Sequence, residues 1–331
     1  MSWASTPCGC RSLRTVGSGW RMWVPPDGSE GTSPTCRWSV HHDGGHVRTG
    51  QWPSGLSGAA PRSESTAGGA RMTSPSLSVT GSSYLDIQGA LGISKHNGGL
   101  TATLELLRLC RVADARQVLY VGSGIGVGPC VIARRSKAHV VALDISEPML
   151  AWTRLRAREE GLAERIETRQ GDVLSLPFEA DCYDAVLVES VLAFVEDKAR
   201  AIQECVRVTK PGGYVGMNES LWLLRPPDAK VLEQATALGA YIITADEWQR
   251  LWAASALVDR TASVASIGLR EEVLSRIQWV GWRWALRAYG RLIRLLREHP
   301  EARQAIRDQL RAPSGVVKLM GYALVTGRKP G

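Results

Sequence analysis

The residues best suited to chemistry form a glycine-rich segment, 122–126, that follows an apolar run at 117–121. Glycine allows a sharp turn and lets a ligand lie against bare backbone, because no Cβ atom intrudes. A short apolar run that leads into such a segment and then into a helix is typical of a buried parallel strand. Ligands of open α/β sheets bind beyond the carboxyl ends of these strands, so we expect a binding site at Gly122, Gly124 and Gly126.

A carboxylate ends the next apolar run. Residues 139–143 predict a second strand, and Asp144 lies at its end, 20 residues after Gly124. A carboxylate at this point can accept two hydrogen bonds from the ribose hydroxyls of a nucleoside. The glycine spacing is G-x-G-x-G, and Val127 stands where a dinucleotide fingerprint has its third glycine. These residues predict a nucleoside cofactor and leave its identity open.

Three further motifs follow along the chain. A strand at 166–169 leads to the segment GDVLSLPF at 171–178, a fourth strand covers 183–189, and the turn KPGG at 210–213 opens a fifth strand. In this order and spacing the pieces resemble the class I S-adenosylmethionine-dependent methyltransferases, and most closely their small-molecule and lipid subgroup. The resemblance covers about residues 91–222 and depends on five motifs in register.

The resemblance implies an α/β fold, a doubly wound, seven-stranded Rossmann-like sheet whose last strand is antiparallel. We expect four parts along the chain, which are listed here in order: a disordered N-terminal tail (1–71), an N-terminal helical cap (72–112), the S-adenosylmethionine-binding core (113–222), and the C-terminal half of the sheet (223–331) with a helical insertion (270–311) before the last strand. The tail is rich in Gly, Ser, Pro, Arg and Trp without helical or strand periodicity, so it cannot bury a core, and we take Met72 as the physiological start.

The resemblance also assigns the cofactor, S-adenosyl-L-methionine, and its contacts. Asp144 would hold the ribose, while Asp172 and the backbone amide of Val173 would hold the adenine. Ile145 and Met149 would lie on the faces of the adenine ring. The alternatives are a simple turn aspartate at position 172 and core packing for the two apolar side chains.

The loop residues Gly122, Ser123, Gly124 and Gly126 would lie under the methionine part of the cofactor, and amides at the start of the next helix suit its carboxylate. The family usually has an acidic residue where this chain has Tyr120, and tyrosine cannot supply that charge at neutral pH. Either a nearby acid compensates for Tyr120, or cofactor affinity falls.

Two side chains are candidates for the acceptor side. Glu189 ends the fourth strand, where the family lines its methyl-transfer channel; it would orient the acceptor, act as a base or merely hydrogen-bond the loop. His96 precedes the predicted helix at 103–110 and would face the pocket, or be structural or exposed. The nucleobase amino-methyltransferase signature is absent at the end of the fourth strand, so we expect no nucleic-acid substrate.

We therefore expect an enzyme that transfers a methyl group to a small-molecule or lipid acceptor by in-line displacement, chiefly by positioning the reactants. One alternative is an NAD(P)-dependent oxidoreductase, which Val127 and the lack of any Tyr-x-x-x-Lys pair disfavour. The other alternative is a non-catalytic methyltransferase-like assembly subunit, and binding of S-adenosylmethionine separates the three.

The composition indicates in which compartment the protein acts and whether it spans a membrane or binds a metal. The chain of 331 residues has a net charge of +8, a calculated pI near 9.3 and seven scattered cysteines. No apolar run is long enough for a transmembrane helix, no secretory signal is evident, and an odd cysteine count disfavours a disulfide framework, so we expect a cytoplasmic protein. Neither the cysteine pair at 8–10 nor the histidines at 41–46 has the spacing of a metal site, and we expect no metal.

The segment 271–297 combines an apolar stripe with an arginine stripe at helical spacing. Arg291 belongs to the arginine stripe, and Trp282 and Tyr289 widen the apolar face. One interpretation is a lid over an apolar acceptor or a helix in peripheral contact with a membrane surface. The simpler interpretation is a helix that packs on the core or on a second subunit in a homodimer.

Overall fold

A mixed β-sheet with helices on both faces forms the centre of the molecule. We analysed it in a computed structural model that describes residues 12–15, 21–24, 84–94, 96–223, 227–237, 239–267, 279–298, 303 and 319–331. In chain order the strands are β1 (Ser12–Thr15), β2 (Arg21–Val24), β3 (Gln117–Val121), β4 (His139–Asp144), β5 (Ile166–Gln170), β6 (Tyr183–Glu189), β7 (Thr209–Trp222), β8 (Ile243–Thr244), β9 (Val258–Ser266) and β10 (Met320–Arg328).

Eight α-helices are described beside these strands. In chain order they are α1 (Tyr84–Leu91), α2 (Gly99–Leu109), α3 (Val127–Arg135), α4 (Glu147–Glu159), α5 (Lys198–Val208), α6 (Ala229–Ala237), α7 (Ala245–Ala254) and α8 (Trp282–Glu298). Strands that are covered by helices on both faces read as continuous apolar runs, and β3 shows this, because four of its five residues are buried.

The strands lie in the order β5-β4-β3-β6-β7-β10-β9. β10 is antiparallel to both β7 and β9, whereas β3, β4, β5, β6 and β7 pair in parallel. The chain order reverses between β3 and β6, and such a reversal places a crevice at the carboxyl ends of those two strands. The predicted doubly wound, seven-stranded sheet with an antiparallel last strand is confirmed.

One additional strand departs from the prediction. The two-residue strand β8 pairs in parallel with the end of β7, at Leu221 and Trp222. β7 has 14 residues and extends beyond its neighbour β6, so its last residues offer backbone groups that β8 satisfies.

The N-terminal part of the chain shows one local difference from the expected tail. β1 and β2 pair antiparallel with each other, apart from the main sheet, although no strand was predicted there. Two short extended segments that lie near each other in the chain can satisfy each other's backbone groups without a core. Met72 and the cysteine and histidine groups at 8–10 and 41–46 lie outside the described residues. The domain boundaries stay predictions.

The insertion is helical where it is described. α8 covers much of the predicted segment 271–297, and residues 268–278 and 304–318 lie outside the described part. Trp282 and Tyr289 were predicted to widen the apolar packing face, but both are exposed, and Arg291 of the predicted arginine stripe is buried. Trp284 faces the core. Arg291 follows two turns later on the same side of the helix, so it is buried as well. Within the described residues, no helix has the length and apolarity to span a bilayer.

Candidate functional site

A cavity of about 440 Å³ opens at the carboxyl ends of β3, β4 and β6. Its volume lies within the range typical of ligand sites in proteins. Ten of the eleven predicted site residues line it; these are Tyr120, Gly122, Ser123, Gly124, Asp144, Ile145, Met149, Asp172, Val173 and Glu189. The fold therefore brings loops from four strands together at one place, as the strand order requires.

The glycine loop supplies bare backbone to the cavity wall. Gly122 and Gly124 have φ angles of +74° and +51°, which side chains rarely adopt. A Cβ atom on Gly122 would lie 2.0 Å from Cγ2 of Val191, so only glycine fits. The amides of Gly122 and Ser123 donate to the carbonyl oxygen of Leu143 at 2.7 and 2.9 Å, which ties the loop to the end of β4.

Gly126 has a different role from the one predicted. It has a φ of +80° at the N-cap of α3, and it is not among the residues that line the cavity. A Cβ atom there would lie 2.8 Å from the backbone Cα of Thr153 in α4. Gly126 therefore allows two helices to approach closely, and it does not contact the cavity.

Asp144 joins the loop to the cavity. One carboxylate oxygen accepts from the amide of Gly124 at 2.8 Å, and the other accepts from the amide of Ser146 at 2.9 Å. Burial raises the pKa of Asp144, and the hydrogen bonds from these amides and from that of Ile145 oppose the rise. A carboxylate has about four lone-pair sites, so both oxygens can still accept from the two hydroxyls of a ribose.

The predicted adenine contacts form the rim of the cavity. One oxygen of Asp172 accepts from the amide of Leu174 at 2.9 Å within a turn, and the other oxygen has no such bond. Ile145 is 61% exposed although it is apolar, whereas Met149 and Val173 are buried. An exposed apolar side chain beside two buried ones offers a flat contact to one face of a planar ring.

A buried polar cluster occupies the opposite wall. The carboxylate of Glu189 accepts from Tyr120 Oη at 2.9 Å, His96 Nε2 at 3.1 Å, Thr103 Oγ1 at 2.9 Å and Asn218 Nδ2 at 3.2 Å. Burial acts to raise the pKa of Glu189, but the charge of His96 and the hydrogen bonds from His96, Tyr120 and Asn218 hold it below its ordinary value. Glu189 is therefore an ionised carboxylate inside the protein, stabilised by four donors.

Tyr120 finds its acidic partner in this cluster. Its hydroxyl donates to Glu189, so the acid that the first strand lacks is supplied by the end of the fourth. Burial, followed by the charge of Glu189, raises the pKa of Tyr120 well above its ordinary value, and the hydroxyl remains a neutral donor. A Cβ atom on Gly128 would lie 2.3 Å from the Tyr120 ring. Glycine at position 128 is therefore what admits tyrosine at position 120.

His96 has one nitrogen bound and one free of partners. Nε2 lies 3.1 Å from Glu189 and 3.0 Å from Thr103 Oγ1, and Thr103 gives its single proton to the carboxylate. Glu189 accepts only, so Nε2 must carry the hydrogen. Nδ1 is buried and has no hydrogen-bond partner among the described residues. Nδ1 is therefore the ring nitrogen left for a ligand, and the ring stacks on that of Trp279 with 4.1 Å between the ring centres.

The sequence reasoning missed several residues of this wall. Thr103 and Asn218 support Glu189, and Gln88, Ser94 and Trp279 line the cavity. Each lies outside the recognised motifs, and His96 is 93 residues away from Glu189 in the chain. No pattern in the sequence links positions so far apart, so only the fold could find them.

The charges of the cavity have one sign. Its described lining contains the carboxylates of Asp144, Asp172, Glu189 and Glu196 and no lysine or arginine. A low-dielectric cleft lined with carboxylates favours a cationic ligand. The bare backbone at Gly122, the ribose-type acceptor at Asp144 and this negative lining together fit a sulfonium nucleoside.

The strand order, the glycine loop and the paired carboxylates Asp144 and Asp172 define a nucleoside-binding protein of the open α/β class. Residues 119–217 match the family described as methyltransferase domain. With the fold, this match confirms the prediction that the core is a class I S-adenosylmethionine-dependent methyltransferase domain, and it confirms S-adenosylmethionine as the cofactor of that domain.

The curated relatives match only part of this chain. Methyltransferase GfsG of Streptomyces halstedii is 30% identical over 115 residues, which are 35% of this chain and 41% of that protein. Demethylmenaquinone methyltransferase of Lactiplantibacillus plantarum is 29% identical over 131 residues, 39% and 54% of the two chains. The structure of phosphoethanolamine N-methyltransferase 2 of Haemonchus contortus has the same fold, with a TM-score of 0.57, 17% identity and coverage of 76% of this chain and 58% of that one. The chain spans less than two thirds of the length of the curated relatives it matches.

Proposed function

We propose that the protein transfers the methyl group of S-adenosylmethionine to an apolar small-molecule or lipid acceptor by in-line displacement. The observation that carries this proposal is the single cavity, in which the glycine loop and Asp144 lie on one side and the Glu189 cluster on the other. The cofactor supplies a methyl group on a sulfonium, a good leaving group. The residues of the chain therefore act mainly by positioning the two reactants.

The cofactor side of the cavity is formed by the residues that the sequence predicted. Asp144 holds the ribose hydroxyls and keeps the glycine loop in place through Gly124. Asp172 and the amide of Val173 face the adenine, with Ile145 and Met149 against the ring. These roles are proposals supported by the position of every one of these residues on the cavity wall.

Beside the Glu189 cluster, the acceptor side is largely apolar. Its lining includes Val191, Phe194, Val195, Tyr241 and Trp279. A phosphate or carboxylate group would need arginine or lysine in the described lining, and there is none, so an anionic acceptor is disfavoured. An aromatic or lipid-like acceptor buries apolar area against these side chains without leaving a charge unpaired. The similarity to a protein named demethylmenaquinone methyltransferase supports this choice.

His96 is the base that takes the proton of an acceptor hydroxyl or amine. Glu189 holds the hydrogen on Nε2 and so leaves Nδ1 as the proton acceptor. As the acceptor bonds to the methyl carbon, the bond between carbon and sulfur breaks and its electron pair stays on the sulfur. The acceptor's proton passes to Nδ1 of His96. A positioned base of this kind contributes roughly 10²–10⁴ in rate.

The first test is binding and turnover. Titration calorimetry with S-adenosylhomocysteine is expected to show micromolar affinity. Tritium transfer from labelled S-adenosylmethionine is expected with demethylmenaquinol or a sterol and not with phosphoethanolamine. Binding of NAD in place of S-adenosylhomocysteine would support the oxidoreductase, and binding of neither would support an assembly subunit.

The second test is the variant His96→Gln. It removes the proposed base, so kcat is expected to fall by about 10²-fold or more. The affinity for S-adenosylhomocysteine is expected to stay near that of the wild type. A variant that keeps the wild-type kcat would show that another group is the base.

A further inference from the structure

Helix α8 is fixed to the protein by one of its faces. Trp284 Nε1 donates to the carbonyl oxygen of Gly92, and Arg291 Nε donates to that of Leu91, both at 2.7 Å. The guanidinium of Arg156 lies 4.1 Å from the centre of the Trp284 ring, and that of Arg291 lies 4.5 Å from the ring of Trp152. This inner face therefore has its partners within the chain, and the orientation of the helix is defined.

The opposite face of α8 carries four large apolar side chains in the open. Trp282, Leu286, Tyr289 and Ile293 are 63%, 62%, 64% and 46% exposed. Their spacing of four, three and four residues places them in one stripe along the helix. They are four of the seven exposed large hydrophobic residues in the described part of the chain. A contiguous apolar patch of this kind marks an interaction surface more than scattered single residues do.

Arginines border this apolar stripe. Arg283, Arg294 and Arg297 are exposed. At 100° per residue, all three lie along the same side of the apolar stripe, on the outer surface of the helix. Arg287, further round the same flank, pairs with Glu159 at 2.8 Å. The outer surface of α8 is therefore an apolar strip with a cationic edge, on a chain whose net charge is +8.

We infer that the outer face of α8 docks on the surface of an anionic lipid bilayer. The apolar stripe enters the boundary between headgroups and acyl chains, and the arginines contact the lipid phosphates. Charge decides against a second copy of the chain, since two such faces in a symmetric pair would bring arginine edges of like sign together. The inference depends on the surface alone and holds whether or not the proposed reaction does.

The proposed docking surface adjoins the cavity along the chain. Trp279, three residues before α8, lines the cavity and stacks on His96. The helix that contacts the bilayer therefore begins three residues after a residue of the acceptor side.

The test is flotation of the full chain with vesicles of phosphatidylcholine, alone and mixed with phosphatidylglycerol. Binding is expected to the mixed vesicles, weakened by salt, and weak or absent for phosphatidylcholine alone. The double variant Leu286→Glu with Tyr289→Glu is expected to bind at least tenfold more weakly. Arg294→Gln is expected to lower the affinity for the mixed vesicles about fivefold, because one basic residue at a membrane surface contributes about 1 kcal/mol.

The matched control is the double variant Val258→Glu with Leu319→Glu, which adds the same two charges at exposed apolar residues outside α8. It is expected to bind like the wild type, and thermal unfolding checks that every variant is folded. Equal binding by the wild type and the double variant would overturn the inference. A wild type that sediments as a dimer, ignores the vesicles and becomes monomeric in the double variant would assign the face to a second copy instead.

Discussion

The two walls of the cavity are built in different ways. On the cofactor side, the glycine loop, Asp144 and Asp172 follow consecutive parallel strands, and backbone amides hold them in place. On the acceptor side, Glu189 is held by side chains from four other elements, among them His96, which is 93 residues away. The first wall is a set of local structures, whereas the second is one hydrogen-bonded network.

This difference determines how sensitive each wall is to mutation. A loop whose bonds are made by the main chain keeps its shape when a single side chain changes. A network around a buried ionised carboxylate fails as a unit, because removal of one member leaves its partners unpaired in a low-dielectric interior. We therefore expect changes on the acceptor side to have larger effects than changes on the cofactor side.

The largest effect is expected for Glu189→Gln. The amide keeps one acceptor oxygen but places donor hydrogens against Tyr120, His96 or Thr103, and Nε2 of His96 is no longer held as a donor. We expect kcat to fall by about 10²-fold or more. Tritium transfer measures the rate, and Asp114→Asn, at an exposed carboxylate, is the control. A rate within threefold of the wild type would contradict the role of the cluster.

The contact between Tyr120 and Gly128 joins the two walls, and Gly128→Ala tests it. The new Cβ atom would meet the buried Tyr120 ring, and overpacking of this kind costs about 1–3 kcal/mol, from which the better helix propensity of alanine recovers up to about 1. We expect unfolding free energy to fall by about 2 kcal/mol. Urea titrations of Gly128→Ala, of Tyr120→Leu and of the double variant check it. Gly128→Ala should cost little in the Tyr120→Leu background, because the ring that the new Cβ atom meets is then absent.

A smaller change in activity is expected for Asp144→Ala, which removes the proposed ribose contacts and also the acceptor for the amides of Gly124 and Ser146. The loss of two ribose hydrogen bonds is worth about 1.4 kcal/mol or more, or at least about tenfold in affinity for S-adenosylhomocysteine. Asp144→Asn keeps one acceptor oxygen, so its affinity for S-adenosylhomocysteine should lie between those of the wild type and of Asp144→Ala. Calorimetry on folded protein decides the matter, and an unchanged affinity would remove Asp144 from the cofactor site.

The last effect is a pH dependence of stability, and it concerns a second buried carboxylate, Glu219. It accepts from the amides of Val191, Leu192 and Ala193, and burial raises its pKa to about 7. Between the ordinary pKa of 4.5 and about 7, the folded protein keeps a proton that the unfolded chain releases, so unfolding free energy falls as pH rises through this window. We expect a total decrease of about 3 kcal/mol across the window.

Urea titrations at several pH values test this slope. Glu219→Gln cannot titrate and should flatten the dependence, while Glu164→Gln at an exposed position should leave it unchanged. A slope that persists in Glu219→Gln would assign the pH dependence to another group.

Much of the cofactor side was predicted from the sequence. The bounds of β3 and β6 and the position of Asp144 followed from short apolar runs and the residues that end them. Gly122 and Gly124 followed from the conformations that only glycine adopts freely. The same motif misplaced Gly126, because whether a glycine faces a ligand or a neighbouring helix depends on what packs against it.

The acceptor side could be predicted only in fragments. Glu189 and Tyr120 were recognised one at a time, and the sequence raised the question of which acid compensates for tyrosine at position 120. The pairing of the two side chains depends on the register of β3 and β6, which places the ends of the strands side by side. The faces of α8 likewise depended on which side met α1 and α4.

The sequence by itself determined the strands, the glycine loop and the carboxylate at the second strand's end, because each is encoded by neighbouring residues through apolar periodicity and backbone conformation. The tertiary structure decided that His96, Thr103, Tyr120 and Asn218 surround Glu189, and that an apolar stripe of α8 faces outward. Those arrangements join distant parts of the chain, and only the packing of the sheet and its helices brings them together.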